Sequence, residues 1–241
     1  MNGRIKHRRK KDLVIRLEDA PFKYQEAFNS LRTNLKFISM QKECKKIVVT
    51  SSIPDEGKSC VAINLALSLA SAGSFVLLID CDLRKPSLHR YLNIPAGSRS
   101  GLTNVLNNLG ELDKSNIHFV QKGFYVLTSG VIPPNPVEVL GSPVMGGFIE
   151  GLDRLYDYII MDTAPVSVVT DAAVLSQFAD GVLMVVRQKM VTFEQARQAK
   201  KNLDAVNANI LGVALNDFDM RHIDSESGYY YSYYYNYGGK G

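Results

Sequence analysis

The sequence predicts an α/β fold, in which one mostly parallel β-sheet is flanked by helices. Short, continuously apolar runs recur along the chain, and helical stretches separate most of them. Such runs are typical of strands that are buried on both faces, as in a parallel sheet. Alternation of strands and helices favours a single layered domain, which we place at residues 21–218.

Each predicted element follows from its own pattern. Phe28, Leu31, Leu35 and Ile38 recur at spacings of three and four, which predicts an amphipathic helix over residues 24–40. The other elements are predicted from apolar runs and from helical character between them. They are strands at 47–49, 75–79, 125–127, 158–161, 182–186 and 210–215, and helices at 58–72 and 192–206.

Composition limits the class of protein. The chain has 241 residues, of which 46% are hydrophobic and 22% are charged, and such values are ordinary for a globular protein. No apolar run reaches the roughly 18 residues that suggest a membrane span, and no signal peptide follows the basic N-terminus. Cys44, Cys60 and Cys81 lack metal-ligand spacing and suit a reducing compartment. We therefore expect a cytoplasmic protein.

The two ends of the chain differ in composition from the domain between them. The first 11 residues hold six lysines and arginines, while the formal net charge of the whole chain is only +4. We expect residues 1–20 to be a flexible basic arm, either solvated or attracted to anionic lipid headgroups, and we do not expect nucleic acid as a partner. Residues 219–241 are of low complexity and rich in tyrosine, so we expect a flexible tail.

A phosphate-binding loop is predicted at residues 52–59. The segment is similar to the P-loop pattern G-x-x-x-x-G-K-[ST], with Ser52 in the place of the first glycine. Backbone N–H groups at a helix N-terminus bind phosphate, Lys58 reaches the β- and γ-phosphates, and the Ser59 hydroxyl binds Mg²⁺. The alternative is a helix-capping loop with a surface lysine. The candidate ATP-binding residues here are Ser52, Pro54, Asp55, Glu56, Gly57, Lys58, Ser59 and Cys60.

Three carboxylates follow predicted strands. Asp80 and Asp82 end the run at 75–79, and Asp162 ends the run at 158–161. The carboxyl ends of parallel strands form the ligand-binding edge of an open α/β sheet, and carboxylate oxygens suit Mg²⁺, so Asp80, Asp82 and Asp162 are candidate magnesium ligands together with Ser59. One of the acids is also suited to accept a proton from an attacking hydroxyl. Each acid alone is equally consistent with a solvated strand end or a helix cap.

Taken together, these motifs resemble those of the bacterial tyrosine kinases, in particular the separate cytoplasmic kinases encoded with capsule and exopolysaccharide genes in Gram-positive bacteria. The resemblance runs from about Tyr24 to the end of the chain. The segments that resemble the family motifs are residues 47–59 as Walker A, 76–86 as Walker A′, 159–165 as Walker B, and the tyrosine-rich tail. The stretches 100–106 and 127–136 also support the resemblance.

The resemblance implies a role for each motif residue and a P-loop fold of the MinD and ParA class. Lys58 and Ser59 match the Walker A lysine and the magnesium-binding hydroxyl, Asp80 matches the base toward tyrosine, and Asp82 and Asp162 match acids that organise Mg²⁺. The implied cofactors are ATP and Mg²⁺. The implied autophosphorylation sites are Tyr229, Tyr230, Tyr231, Tyr233, Tyr234, Tyr235 and Tyr237.

The resemblance also implies partners. Neighbouring subunits of a ring, often an octamer, phosphorylate one another's tails in the family. A membrane-embedded co-polymerase or chain-length modulator activates the kinase through its cytoplasmic tail and recruits it to the inner face of the membrane. A cognate phosphotyrosine phosphatase removes the phosphate, and the cycle regulates the synthesis and export of capsular polysaccharide or exopolysaccharide.

The sequence departs from the family at two places. Ring-forming members carry an E-x-x-R-x-x-R helix motif, and here the three positions hold Glu26, Asn29 and Arg32. Asparagine lacks the charged fork of arginine, so Glu26 and Arg32 are the remaining oligomerisation candidates, or an ordinary surface pair. Cys60 replaces the usual threonine, and a packing role is expected because cysteine is a small hydrophobe.

Two other functions remain open at this point. A nucleotide-switch ATPase of the MinD and ParA class would carry a second lysine early in the loop, but Ile53 occupies that position. A scaffold for polysaccharide machinery would use the tail passively.

The contacts to adenine are also open: Asn216, after the last predicted strand, is the stronger candidate and Arg187 the weaker one. Arg84 and Lys85 match a basic pair of the family or are solvated charges.

Overall fold

The fold is a single seven-stranded sheet between two layers of helices in the computed structural model, which describes residues 20–95, 100–108, 110 and 112–218. The strands are β1 (Lys46–Ser51), β2 (Val76–Asp80), β3 (Ile117–Gln121), β4 (Phe124–Leu127), β5 (Tyr158–Asp162), β6 (Gly181–Arg187) and β7 (Ile210–Asn216). The helices are α1 (Phe22–Gln41), α2 (Lys58–Ser71), α3 (Leu88–Tyr91), α4 (Leu102–Asn107), α5 (Pro136–Leu140), α6 (Pro143–Leu152), α7 (Asp171–Leu175) and α8 (Phe193–Asp204).

The strand order is β3-β4-β2-β5-β1-β6-β7, which places β1 in the interior of the sheet. Neighbouring strands are parallel except for β3 and β4, which are antiparallel. The predicted α/β fold with a mostly parallel sheet is therefore confirmed. The edge strand β3 was not predicted, because its residues are mostly half-buried and mix polar with apolar side chains, so the continuous apolar run of an interior strand is missing.

The two faces of the sheet hold two separate cores. Along β2, Val76 and Leu78 face one core while Leu77 and Ile79 face the other, as the alternation of side chains along a strand requires. The first core packs against α1 and α2, and the second packs against α4, α5, α6, α7 and α8. The predicted helix at 24–40 is confirmed as α1, whose Phe28 and Leu35 are buried.

The predicted site residues lie at one edge of the sheet. Because β1, β2, β5, β6 and β7 are parallel, their carboxyl ends lie at the same edge. The predicted phosphate loop follows β1, and two of the predicted acids end β2 and β5.

No helix in the described ranges is both long and apolar enough to span a bilayer. The predicted arm, apart from Ala20, and the predicted tail lie outside the described residues.

Candidate functional site

The loop between β1 and α2 has the backbone of a phosphate-binding turn. Gly57 adopts a left-handed conformation, with φ +88°, and is the residue immediately before the first turn of α2. Asp55 also has a positive φ, of 67°. α2 runs from Lys58 to Ser71, so its first N–H groups and its dipole are directed at the loop, as anion binding requires. Ser52, in the place of the first glycine, is buried.

Glu56 braces this loop from inside. Its side chain is buried, and its carboxylate accepts the N–H of Ile53 at 2.7 Å and the N–H of Arg187 at 3.1 Å. Burial raises the pKa of Glu56, while those two backbone donors lower it. Glu56 was predicted as an ATP-binding residue. In the structure its carboxylate holds the loop against the end of β6, and its backbone forms part of the loop.

Asn216, at the end of β7, contacts the loop as well. Its Nδ2 donates to the carbonyl oxygen of Glu56 at 2.8 Å. Arg187, at the end of β6, pairs with Asp217 at 2.7 Å, and its Nη1 donates to the carbonyl of Asp55 at 3.4 Å. Both candidate adenine contacts therefore lie beside the loop, and their polar groups already bind within the chain. A contact to the base remains a prediction for each.

Substitution of Gly57 by alanine is expected to disrupt the loop. A Cβ at this position would lie 2.2 Å from Asn216 Nδ2, and the φ of +88° is strained for any residue with a side chain. We expect a loss of about 1–3 kcal/mol in the free energy of unfolding and at least a tenfold weaker binding of ATP. Chemical denaturation and nucleotide titration measure the two effects. Gly73→Ala is the matched control, because it has a similar φ but open space around it.

The three predicted acids surround Lys58. The Nζ of Lys58 lies 3.0 Å from Asp82 Oδ2 and 3.8 Å from Asp162 Oδ1. Asp80 Oδ2 accepts the N–H groups of Ser87 and Leu88, both at 3.1 Å. Among the described residues, Asp80 Oδ1 and both oxygens of Asp162 are buried without a hydrogen-bond partner. Unpartnered buried oxygens are costly, so this cluster is built for a ligand that contacts them.

Burial and mutual repulsion set the charges of this cluster. Burial raises the pKa of Asp80, and the nearby charge of Asp162 raises it further. Burial also raises the pKa of Asp162, against the opposing effect of Lys58. For Lys58 burial lowers the pKa, but Asp162 and Asp82 outweigh it and leave the pKa above its ordinary value. The lysine is therefore fully charged.

The donor set fits a hard cation such as Mg²⁺ that is held jointly with phosphate. In the described part of the chain, no three His, Cys, Asp or Glu side chains are arranged to hold a metal by themselves. Mg²⁺ is ordinarily bound by one or two carboxylates together with waters and substrate phosphates. Asp162 offers oxygens without a hydrogen-bond partner in the described residues, and the hydroxyl of Ser59, in the first turn of α2, lies close to Asp162 and 3.1 Å from Ser87 Oγ.

A cleft of about 220 Å³ opens in front of the cluster. Arg84 lies on its wall and donates from Nε and Nη2 to the two oxygens of Asp171, at 2.9 and 3.0 Å. Sequence reasoning missed Asp171, which is buried and whose position at the start of α7 resembles an ordinary helix-capping acid. The residues lining the cleft are Pro54, Asp55, Gly57, Lys58, Ser59, Asp82, Arg84, Lys85, Ser87, Arg90, Tyr91, Ala164, Pro165, Val168 and Val169.

Comparisons with known proteins agree on one group of relatives. A family model described as ParA, NUBPL iron-transfer P-loop NTPase, matches residues 43–239. Tyrosine-protein kinase YwqD of Bacillus subtilis is 38% identical over 218 residues, which cover 90% of each chain. The solved structure of the chimerical protein CapA2B2 matches with a TM-score of 0.78 at 34% identity, over 86% of this chain and 89% of that one.

The chain belongs to the bacterial tyrosine kinases. The kinase domain of Escherichia coli tyrosine kinase ETK also matches, with a TM-score of 0.73 at 33% identity over 79% of this chain and 74% of that chain. MinD of Pyrococcus horikoshii, solved with Mg-ADP, has a TM-score of 0.59 at 23% identity, which shows a shared fold alone. The family resemblance of the sequence and the MinD-like and ParA-like fold are thus confirmed.

The two candidate oligomerisation residues of this bacterial tyrosine kinase do not contact each other within the chain. Arg32 Nη1 donates to the carbonyl oxygen of Ser68 at 2.8 Å and to its hydroxyl at 2.9 Å. Glu26 Oε1 accepts from Asn29 Nδ2 at 2.8 Å. Arg32 therefore ties α1 to the helix that follows the phosphate loop, and a role in a ring remains a prediction.

Cys60 packs between helices. Its Sγ lies 3.7 Å from the hydroxyl of Tyr24 on α1 and 3.6 Å from Asn64 Nδ2 one turn along α2. Burial raises the pKa of the Cys60 thiol. These contacts fit the packing role that was expected. A direct part of the Cys60 side chain in binding ATP remains a prediction, as do all the tail tyrosines, which lie outside the described residues.

Proposed function

We propose that this bacterial tyrosine kinase is an autokinase that transfers the γ-phosphoryl group of ATP to the C-terminal tyrosines of a neighbouring copy. The observation that carries the proposal is the pairing of Lys58 with Asp82 and Asp162, next to buried oxygens of Asp80 and Asp162 that have no hydrogen-bond partner among the described residues. Phosphoryl transfer depends mainly on positioning and charge neutralisation. A lysine in a phosphate loop and acids at the adjoining strand ends supply both.

The phosphate loop binds the nucleotide. The N–H groups at the start of α2 and the ammonium group of Lys58 contact the β- and γ-phosphates, and Glu56 and Asn216 hold the loop in shape. Ser59, Asp82 and Asp162 would hold Mg²⁺. When bound, Mg²⁺ neutralises the charge that develops on the phosphate oxygens.

Asp80 is proposed as the base. Its Oδ2 is fixed by two backbone N–H groups, and its Oδ1 is buried without a partner in the described chain. The phenolic oxygen of tyrosine forms a bond to the γ-phosphorus while the bond to the β,γ-bridging oxygen breaks, and the phenolic proton goes to Asp80 Oδ1. The raised pKa of Asp80 makes it a better proton acceptor than an ordinary carboxylate.

The remaining parts of the proposal rest on family membership. The copies assemble into a ring, a membrane co-polymerase activates and recruits them to the inner face of the membrane, and a phosphatase reverses the reaction. The output is control of capsular polysaccharide or exopolysaccharide synthesis. Each phosphate adds about −1.5 to −2 charges, so a tail with several phosphates repels itself and any acidic surface, which loosens the ring.

The test is to incubate the purified chain with Mg-ATP, with and without a peptide of the activating tail, and to map phosphate by mass spectrometry. Phosphate on residues 229–237 that is absent in a Lys58→Met variant supports the kinase. Hydrolysis of ATP with an unmodified tail, in the presence of a partner that binds, favours instead the nucleotide-switch ATPase that the ParA-class fold also allows.

A mixing experiment tests transfer between copies. One variant carries Lys58→Met with an intact tail, and the other has an intact site with all seven tail tyrosines replaced by phenylalanine. Each alone is expected to give no phosphotyrosine in the tail, whereas the mixture should phosphorylate the tail of the Lys58→Met chain. A mixture without tail phosphotyrosine, under conditions in which the unaltered chain is phosphorylated, would contradict transfer between copies.

A further inference from the structure

Two cations at the outer edge of the cleft are not used by the proposed reaction. Lys85 and Arg90, which we call the cationic rim, line the same cleft as Lys58 and Asp82. Arg84 is held by Asp171, but neither rim residue forms an ion pair with any residue in the described ranges. Within the described residues, the Arg90 side chain donates one hydrogen bond, a long one of 3.4 Å to the carbonyl oxygen of Pro86.

The rim lies on the acceptor side of the site. Its residues come after β2 in the chain, as does Asp82, and Asp80 is the last residue of β2, whereas Arg187 and Asn216 lie across β1 at the ends of β6 and β7. Asp80 is fully buried, and Asp82, two residues further on, lines the cleft together with the rim, so the acceptor tyrosine of the proposed reaction would approach Asp80 past the rim. Tyr91, Val168 and Val169 line that cleft too, and such surfaces suit aromatic rings.

The substrate proposed above has a matching periodicity. Tyrosine occupies every odd position from 229 to 237. In an extended segment, side chains two residues apart lie on the same side, about 6.7 Å from each other. An acceptor tyrosine in this register has another tyrosine two residues away on the same side, and after earlier turnover that neighbour is a phosphotyrosine.

A phosphotyrosine beside the acceptor tyrosine needs positive charge next to its phosphate. A phosphate of about −1.5 to −2 charges would be brought close to the three acids and to the triphosphate of ATP, all of which repel it. Lysine and arginine are the side chains that bind phosphate, and arginine can do so with two hydrogen bonds at once. Uncommitted cations at the cleft edge offset the repulsion where the phosphate would lie.

We propose that Lys85 and Arg90 form a binding site for a phosphotyrosine two residues away from the acceptor tyrosine. The site directs each transfer to a tail that already carries phosphate, so that phosphorylation proceeds along one side of the tail. This inference rests on the proposed function. The bond that forms is again that between the phenolic oxygen and the γ-phosphorus, and the phosphate on the rim is not transferred.

Peptides of residues 227–239 test the site with the full-length kinase and Mg-ATP. Tyr233 is the acceptor, and the other tyrosines are replaced by phenylalanine. A phosphotyrosine is then placed at 231 or 235, two residues away, or at 234, one residue away. We expect kcat/KM to rise about tenfold with the phosphate at 231 or 235, and not to rise with the phosphate at 234.

Two double variants complete the test. Lys85→Ala with Arg90→Ala is expected to bring the ratio of kcat/KM for phosphorylated over unphosphorylated peptide close to one. Arg197→Ala with Lys201→Ala removes the same two kinds of charge from exposed positions on α8 and should leave the ratio unchanged. A gain that is equal at 234 and 235, or that survives loss of the rim, overturns the inference.

The two proposals fail in different ways. If the unaltered kinase transfers phosphate to the unphosphorylated peptide without preference for any phosphorylated one, the inference about the rim is wrong and the kinase function stands. If it phosphorylates neither the peptides nor its own tail in the presence of the activating peptide, the proposed function is overturned and the inference with it.

Discussion

Replacement of Lys58 by methionine is expected to lower phosphoryl transfer to the tail by about 10³-fold. Methionine keeps an unbranched side chain and removes the positive charge that lies 3.0 Å from Asp82 and 3.8 Å from Asp162. The β- and γ-phosphates would then approach these acids without the ammonium group that offsets both sets of charge. The rate is measured as phosphotyrosine formed on the tail per unit time at saturating Mg-ATP.

Lys200→Met is the matched control for this variant. Lys200 is exposed on α8, where it pairs with Asp204 at 2.6 Å, so its loss removes one lysine from the surface and leaves the site intact. The control should retain the activity of the unaltered chain. A Lys58→Met variant that keeps more than a tenth of that activity would show that the lysine is not part of the transfer machinery.

Replacement of Asp80 by asparagine is expected to separate activity from stability. The amide oxygen of asparagine can still accept the N–H groups of Ser87 and Leu88, but asparagine cannot accept the phenolic proton. The rate of transfer should fall by about 10²–10⁴-fold, while nucleotide binding changes much less. Single-turnover measurement of phosphotyrosine, alongside titration of ATP, distinguishes the two quantities.

The same variant should be more stable than the unaltered chain in the absence of Mg²⁺. Burial and Asp162 raise the pKa of Asp80 in the folded protein, so its ionised form opposes folding. This cost is absent below the ordinary pKa of aspartate and grows as the pH rises through the raised pKa. Removing it should increase the free energy of unfolding by about 1–3 kcal/mol near pH 8, and the gain should vanish near pH 4.

Denaturant unfolding at several pH values checks this, with Asp204→Asn as the control on the surface of α8. The control is expected to change stability little at any pH, because its aspartate is exposed. Two results would contradict the assignment of Asp80 as a buried base. One is an Asp80→Asn variant that is less stable than the unaltered chain at pH 8. The other is a variant whose rate of phosphoryl transfer is within threefold of the rate of the unaltered chain.

Much of the site was predictable because it lies in contiguous motifs at strand ends. Lys58 and Ser59 follow one apolar run, and Asp80, Asp82 and Asp162 follow two others. The parallel pairing of β1, β2 and β5 then brings these residues to one edge. Runs of residues buried on both faces have a strong sequence signal, and the motif residues are counted from the ends of those runs.

The contacts that shape the site could not be predicted in this way. Glu56 holds the N–H of Arg187, Asn216 holds the carbonyl of Glu56, and Arg84 holds Asp171. Each pair joins residues far apart in the chain. No local sequence pattern indicates that a glutamate side chain is buried or that an aspartate forms an ion pair with an arginine. The strand β3 was missed for a related reason, since an edge strand with partly exposed side chains lacks the apolar signal.

The interior position of β1 has a consequence for the order in which the protein is made. Ile47 pairs with Ile160 on one side and with Gly181 on the other, so the strand that carries the phosphate loop lacks both neighbours until β5 and β6 leave the ribosome. Until then its hydrogen-bonding edges and apolar faces are open to other chains, and such non-local pairing is slow. The nascent kinase therefore completes its nucleotide site only after β5 and β6 have been made, and before that point the unpaired β1 is exposed to aggregation.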